Sequence, residues 1–238
     1  MQKYFIEAWA LGMFMCSACL FAVLLETPGQ SLHTWIPDPF TRRWLMGLAM
    51  GLTAVILIYS DWGKRSGAHM NPAVTLAFWY LGRLDRRDLP WYIAAQFFGG
   101  ALAMLLIRLL FFQFVPAPSV NFVQTQPGMA GWFIAFLLEV LLAFVLILVV
   151  LYSSNDARTA PYTGVFAGLL VMLYIAIEAP YSGMSINPAR TFASALAAGN
   201  FRYLWLYFLA PTLGMFLAAV VWKTLICRNP DFKCSLHG

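Results

Sequence analysis

Apolar residues run along the chain in six long blocks, at about 5 to 25, 44 to 60, 90 to 112, 131 to 152, 162 to 179 and 203 to 226, separated by short polar stretches. Each block is close to the roughly 20 helical residues that a hydrocarbon core of ~30 Å requires. Two further apolar stretches, "AVTLAFWYLG" from Ala73 and "ARTFASALAAG" from Ala189, are too short to cross. Both follow an Asn-Pro pair, Asn71-Pro72 and Asn187-Pro188. Asn is a preferred N-cap and Pro a preferred first helical residue, so each stretch reads as a helix beginning at the Asn. About ten helical residues precede Gly82 and Gly199, a length of ~15 Å at 1.5 Å per residue, half a bilayer. The stretches just before the caps, "DWGKRSGAH" and "APYSGMS", read as irregular backbone. At membrane depth such backbone survives only when buried in protein or lining a wet cavity.

The short helices belong to a duplication. Glu7 lies in the first block and Glu139 in the fourth, with an Asn-Pro-Ala 64 and 48 residues downstream. Gln96, Gly99 and Ala103 follow Asn71 as Pro211, Gly214 and Ala218 follow Asn187, at offsets of 25 and 24. The expected halves are approximately 1–115 and 130–228 of a single domain covering 1–238. Each holds three spans and one half-helix, and an odd number of crossings inserts the second copy upside down. The fold class is therefore an all-α membrane protein: six transmembrane helices plus two re-entrant half-helices in an inverted repeat. The half-helices then enter from opposite sides and meet cap to cap at the midplane, and a pore lined by their two loops is the economical reading.

Composition agrees with a life in lipid. Of 238 residues, 61% are hydrophobic, 16% aromatic and only 11% charged, with a mean hydropathy of +0.73; soluble domains are nearer a quarter charged. The first block carries Glu7 and is followed by Pro28 and Gln30 rather than a small-residue cleavage site, so it is expected to stay in the mature protein. With the N-terminus inside, the inner segments hold Lys3, Lys64, Arg65, Arg83, Arg86, Arg87, Arg158, Lys223, Arg228 and Lys233, against Arg42, Arg43 and Arg202 outside. Both termini are predicted cytoplasmic, in a plasma or inner membrane. That asymmetry accounts for the net charge of +5, and no nucleic-acid partner is expected. Cys16, Cys19, Cys227 and Cys234 have no metal-type spacing with His; Cys16 and Cys19 read as small packing residues, and neither metal nor cofactor is expected. An HExxH pair, a nucleotide loop and a nucleophile with a nearby base are all absent from the sequence, so an enzyme is not expected.

"SGAHMNPAVT", "GMSINPART", the glutamates of the first and fourth spans, Gln96 and "YFLAPTLGMFLAA" together make the chain similar to the aquaporin and glycerol-facilitator family, the major intrinsic proteins. A single Asn-Pro-Ala is a weak signal; two in opposed repeats are highly specific. The resemblance implies a homotetramer of six-helix bundles, each with its own pore for water and small neutral solutes. The paired boxes, Asn71-Pro72-Ala73 and Asn187-Pro188-Ala189, would set the pore centre. If both Asn amides donate to one passing water, its hydrogens point outward along the pore and the donor chain reverses there, which breaks a proton relay.

Carried over residue by residue, Arg190 is the arginine of the outer constriction and the only Lys or Arg expected near the pore. Its companions are Ile175, twelve residues before Asn187, Met184, three before it, and Gly51 or its neighbour Met50 in the second span. The strict water-channel pattern has His where Ile175 stands, which leaves passage of glycerol or urea open. Glycerol facilitators usually carry Asp where Thr191 stands and a basic residue at Ala195, so those positions, with Tyr207 and Phe208, favour water. Glu7, Glu139 and His69 are expected to support the loops. Used instead as proton-coupling sites, Glu7 and Glu139 would make the chain a secondary transporter. Glu178 is expected to be a solvated residue at the outer mouth.

Overall fold

The computed structural model describes residues 1–227; Arg228, Lys233 and Cys234, and the ends assigned above to the second half and to the domain, lie outside them. Among the described residues, six helices are long and apolar enough to cross a membrane, which makes the chain an integral, multi-pass membrane protein. The spans are α1 (Gln2–Glu26), α2 (Pro39–Tyr59), α4 (Leu89–Leu110), α5 (Gly131–Asn155), α6 (Thr163–Leu173) and α8 (Leu204–Val221), with the half-helices α3 (Pro72–Tyr80) and α7 (Pro188–Ala198) between them. α6 runs on through a π-helical turn, Tyr174–Glu178, and a last turn, Ala179–Ser182. α8 runs on through a second π turn, Trp222–Ile226.

α2 begins five residues earlier than its apolar block because Asp38 caps it. The Asp38 carboxylate accepts from the Thr41 backbone N–H at 2.8 Å, and Pro39 supplies the first helical φ. "DWGKRSGAH" is not wholly irregular: Asp61–Ser66 is a short helix, capped by Ser60 and closed by Gly67 at φ 88°. The motif before the second cap likewise holds the turn Ala179–Ser182, closed by Gly183 at φ 79°.

Without a hydrophobic force between helices in lipid, packing depends on close backbone approach, hence small residues. α1 meets α4 at Gly99, where a Cβ would stand 2.1 Å from the Ala8 carbonyl oxygen. α5 meets α8 in the same way, with Gly214 2.2 Å from the Val140 oxygen by the same measure. Ala8 and Val140 each follow one of the paired glutamates, so the two contacts are copies of each other. α2 meets α6 through Gly47, Gly51 and Gly168. At the N-terminal end of α1, Lys3 and Tyr4 both donate to the Asp88 carboxylate, which holds its carboxyl below the ordinary range and ties α1 to the start of α4. The half-helices cross over: α3, from the first half, packs on α8, and α7, from the second, packs on α4.

The candidate pore and its two caps

Asn71 and Asn187 take extended backbone, φ −156° and −149°, and each caps its own half-helix. Asn71 Oδ1 accepts from the Ala73 N–H at 2.9 Å; Asn187 Oδ1 accepts from Ala189 and Arg190 at 3.1 and 3.2 Å. The amide nitrogens reach across to the opposite loop. Asn71 Nδ2 donates to the Ile186 carbonyl and Asn187 Nδ2 to the Met70 carbonyl, both at 2.7 Å. Each amide therefore commits one N–H to the opposite loop and retains the other.

The carbonyls that accept these bonds are turned by left-handed backbone. Ala68 and Met70 have φ 46° and 50°, and Met184 and Ile186, 116 residues later, have 46° and 45°. Such conformations cost roughly 1–2 kcal/mol each for residues with a Cβ, so the surroundings must enforce them. The glutamates do so. Glu7 accepts from the His69 N–H at 3.0 Å, the Met70 N–H at 2.7 Å and Gln96 Nε2 at 2.8 Å. Glu139 accepts from the Ser185 N–H at 2.7 Å, the Ile186 N–H at 2.6 Å and the Ser182 hydroxyl at 2.8 Å. Both glutamates are fully buried in membrane spans, and these donors take the place of counter-ions. His69 also meets Thr75 Oγ1 through Nδ1 at 3.2 Å and stacks on Phe78.

Other residues of the scaffold went unassigned in the sequence, although the repeat carries them. Ser66 and Ser182 accept from the backbone two residues on, Ala68 and Met184, both at 3.1 Å. Tyr92 and Tyr207 donate to the Ser66 and Ser182 carbonyls, and Thr75 and Thr191 anchor the first turns of the half-helices. The signal was the shared Ser-Gly before each box and the Thr four after each Asn.

Both loops line one cavity of about 640 Å³. Its wall includes Asn71, Asn187, His69, Ile175, Met184 and Arg190; Glu7 and Glu139 stand behind the loops. Gly51 is a correction. α2 presents Arg43, Met46, Met50, Ala54 and Ile58 to the cavity at helical spacing, whereas Gly51 faces α6, a Cβ there lying 2.5 Å from the Gly168 oxygen. Of the two second-span candidates, Met50 borders the cavity and Gly51 does not. Arg190 is not alone either, because Arg43 and Lys64 also border the cavity. Arg190 Nη1 is buried without a protein partner among the described residues.

Glu178 is a second correction. It is 7% exposed, not solvated, and lies beside Ser182 with neither oxygen in hydrogen-bonding geometry. Ile175 in the π turn and Ala179 just after it take the cavity side, which turns Glu178 away from the cavity. Cys19 is buried with its thiol on Met104 Sδ at 3.5 Å, a packing contact.

Two capped half-helices facing each other inside a six-span bundle define a channel-type architecture. The sequence profile described as "Major intrinsic protein" matches residues 1–222, and the chain belongs to that family. It is 35% identical over 174 residues to the probable aquaporin NIP4-2 of Arabidopsis thaliana, covering 73% of this chain and 59% of the relative. It is 35% identical to aquaporin NIP3-1 of Arabidopsis thaliana over 98% of this chain and 70% of the relative. The chain spans about three fifths of the length of the first curated relatives it matches. The fold is also that of the aquaglyceroporin from Plasmodium falciparum, with a TM-score of 0.78 at 20% identity over 97% of this chain and 98% of the other.

Proposed function

We propose that the chain is a passive transmembrane channel that conducts water, leaks small neutral solutes and excludes protons and ions. The observation that carries this reading is the reciprocal cap: two half-helix N-termini joined by the Asn71 and Asn187 amides inside one cavity. Their positive dipole ends raise the energy of a cation at the centre, a barrier for which aquaporin-type pores are the standing example. The N–H that each Asn retains is a donor for a passing oxygen, so water entering from either side meets donors there and its own hydrogens turn outward. Met50, Ile175, Met184 and Arg190 form the outer constriction, in which one cation faces three apolar walls. That wall favours a second reading, facilitation of a small polyol whose hydroxyls meet Arg190 while its carbons meet the side chains opposite.

In this reading Glu7, Glu139 and His69 are loop supports, and the chain performs no covalent chemistry. Glu7 and Glu139 already hold the loop N–H groups, which argues against their use as proton carriers. We further propose a homotetramer in a plasma or inner membrane, both termini cytoplasmic, with one pore in each single-domain chain and inverted halves near 1–115 and 130–228. Stopped-flow light scattering on proteoliposomes tests the function. Water flux should have a low activation energy, glycerol and urea should pass more slowly without saturation, and an imposed pH gradient should persist. Saturable uptake that collapses with the proton gradient would establish a coupled transporter instead.

A further inference from the structure

The segment between α4 and α5 contains a feature that the paired caps do not explain. Asn121, Phe122 and Val123 are three consecutive left-handed residues, at φ 44°, 53° and 47°, and none is glycine. Isolated left-handed positions occur in turns, but a β-branched residue there is a true outlier, and persistence of three in a row requires the surroundings to impose them.

The turn is fastened from several sides. The Phe122 N–H donates to the Val115 carbonyl at 2.9 Å and the Asn121 N–H to Ala117 at 2.7 Å. The Arg108 guanidinium lies 5.7 Å from the Phe122 ring centre while its Nη1 donates to the Ala197 carbonyl at 2.7 Å. Just beyond the turn, Gln124 Nε2 donates to Asn200 at 2.6 Å, and the Thr125 and Thr191 hydroxyls meet at 2.9 Å. The strained turn is thus tied to both ends of α7, the half-helix that carries Arg190.

What the turn achieves is the placement of Val123. Its side chain borders the same cavity as Met184 and Arg190. It also packs against both apolar clusters of the bundle, one holding Met50 and Met184 and the other Leu11 and Met15. Its neighbour Gln124 reaches the same cavity, but its amide is already engaged with Asn200 and Gln126. An apolar post with a single stiff torsion therefore stands at the cavity wall on a segment that belongs to neither repeat motif.

We propose that Val123 is a further specificity-determining residue, a fixed wall that limits which neutral solutes reach Arg190. The proposal rests on the channel reading. It supplies a reason for the strain: a relaxed turn would not hold the methyl groups at a set distance from the opposite side. Solute size and not solute charge is the property it selects.

The test is a permeability series for water, urea and glycerol in proteoliposomes, comparing the parent with Val123→Ala, Val123→Phe and Val123→Thr. Ala should raise the glycerol-to-water ratio several-fold, Phe should lower it, and the nearly isosteric Thr should leave it close to the parent value. Thermal unfolding of each variant in detergent separates the wall from its packing role, because lost packing lowers the midpoint without moving the ratio. Unchanged ratios in both Ala and Phe variants overturn the proposal and leave the channel reading intact. Parent vesicles that shrink no faster than empty ones sink both.

Discussion

At the scale of single residues, Asn187 joins two tasks that a substitution can separate. Its Oδ1 caps α7 and its Nδ2 bridges to Met70. Asn187→Asp keeps the acceptor and so the cap, loses the bridge, and adds a full negative charge. A half-helix N-terminus carries roughly +0.5 charge, so one carboxylate offsets about two of them and the centre falls from roughly +1 to about zero. Sodium leakage through reconstituted variant should therefore rise at least tenfold while water flux falls less than threefold. A variant that conducts water and stays as sodium-tight as the parent would show that the barrier lies elsewhere. The residues of the two caps were legible because they recur: Asn, Pro, Ala and the buried Glu are identical in both halves. Met50 was legible only as an alternative to Gly51, and the placements of Arg43 and Glu178 were not. Their facing depends on the phase of a helix: α2 starts at the Asp38 cap, ahead of its apolar block, and the π turn at Tyr174–Glu178 resets the phase around Glu178, neither of which an apolar pattern records.

Among the elements, backbone contact decides what can be changed. A Cβ added at Gly12 would lie 3.3 Å from the Gly99 oxygen, whereas one at Gly99 would lie 2.1 Å from the Ala8 oxygen. The first needs a few tenths of an ångström of accommodation; the second drives α1 and α4 apart along the length that positions Glu7. Gly12→Ala should lower stability by less than about 1 kcal/mol and Gly99→Ala by about 3 kcal/mol or more, at or beyond the usual overpacking range. Thermal unfolding in detergent checks the order, and equal midpoints would mean that α1 and α4 do not depend on this approach. The existence of the six spans and the two half-helices could be read from apolar length and from the caps. Their pairing could be read only in part. Small residues recur at matching offsets at Gly99 and Gly214, where the spans meet, but nothing local to α3 or α7 shows that each packs on a span from the other half.

That exchange governs the molecule as a whole. α3 rests on α8 and α7 on α4, and the two Asn amides bond across the halves. Each glutamate, in contrast, serves the loop of its own half. If the halves were independent, losing Glu7 would loosen only residues 66–71. Because Met70 supplies the carbonyl that Asn187 bonds, disorder in the first loop removes a partner from the second cap and frees Ile186 in turn. Glu7→Ala removes the acceptor of the His69 and Met70 N–H groups and of one Gln96 Nε2 hydrogen, the amide keeping its bond to Thr75, and a donor left unpaired away from water costs about 1–3 kcal/mol. Hydrogen exchange on this variant should show lost protection in 66–71 and also in 182–187. Glu139→Ala, which strands the Ser182, Ser185 and Ile186 donors, should give the same two-loop pattern, and both variants should unfold in one transition below that of the parent. Loss confined to the loop nearest the substitution, with two separated transitions, would mean that the amide bonds join halves that fold apart.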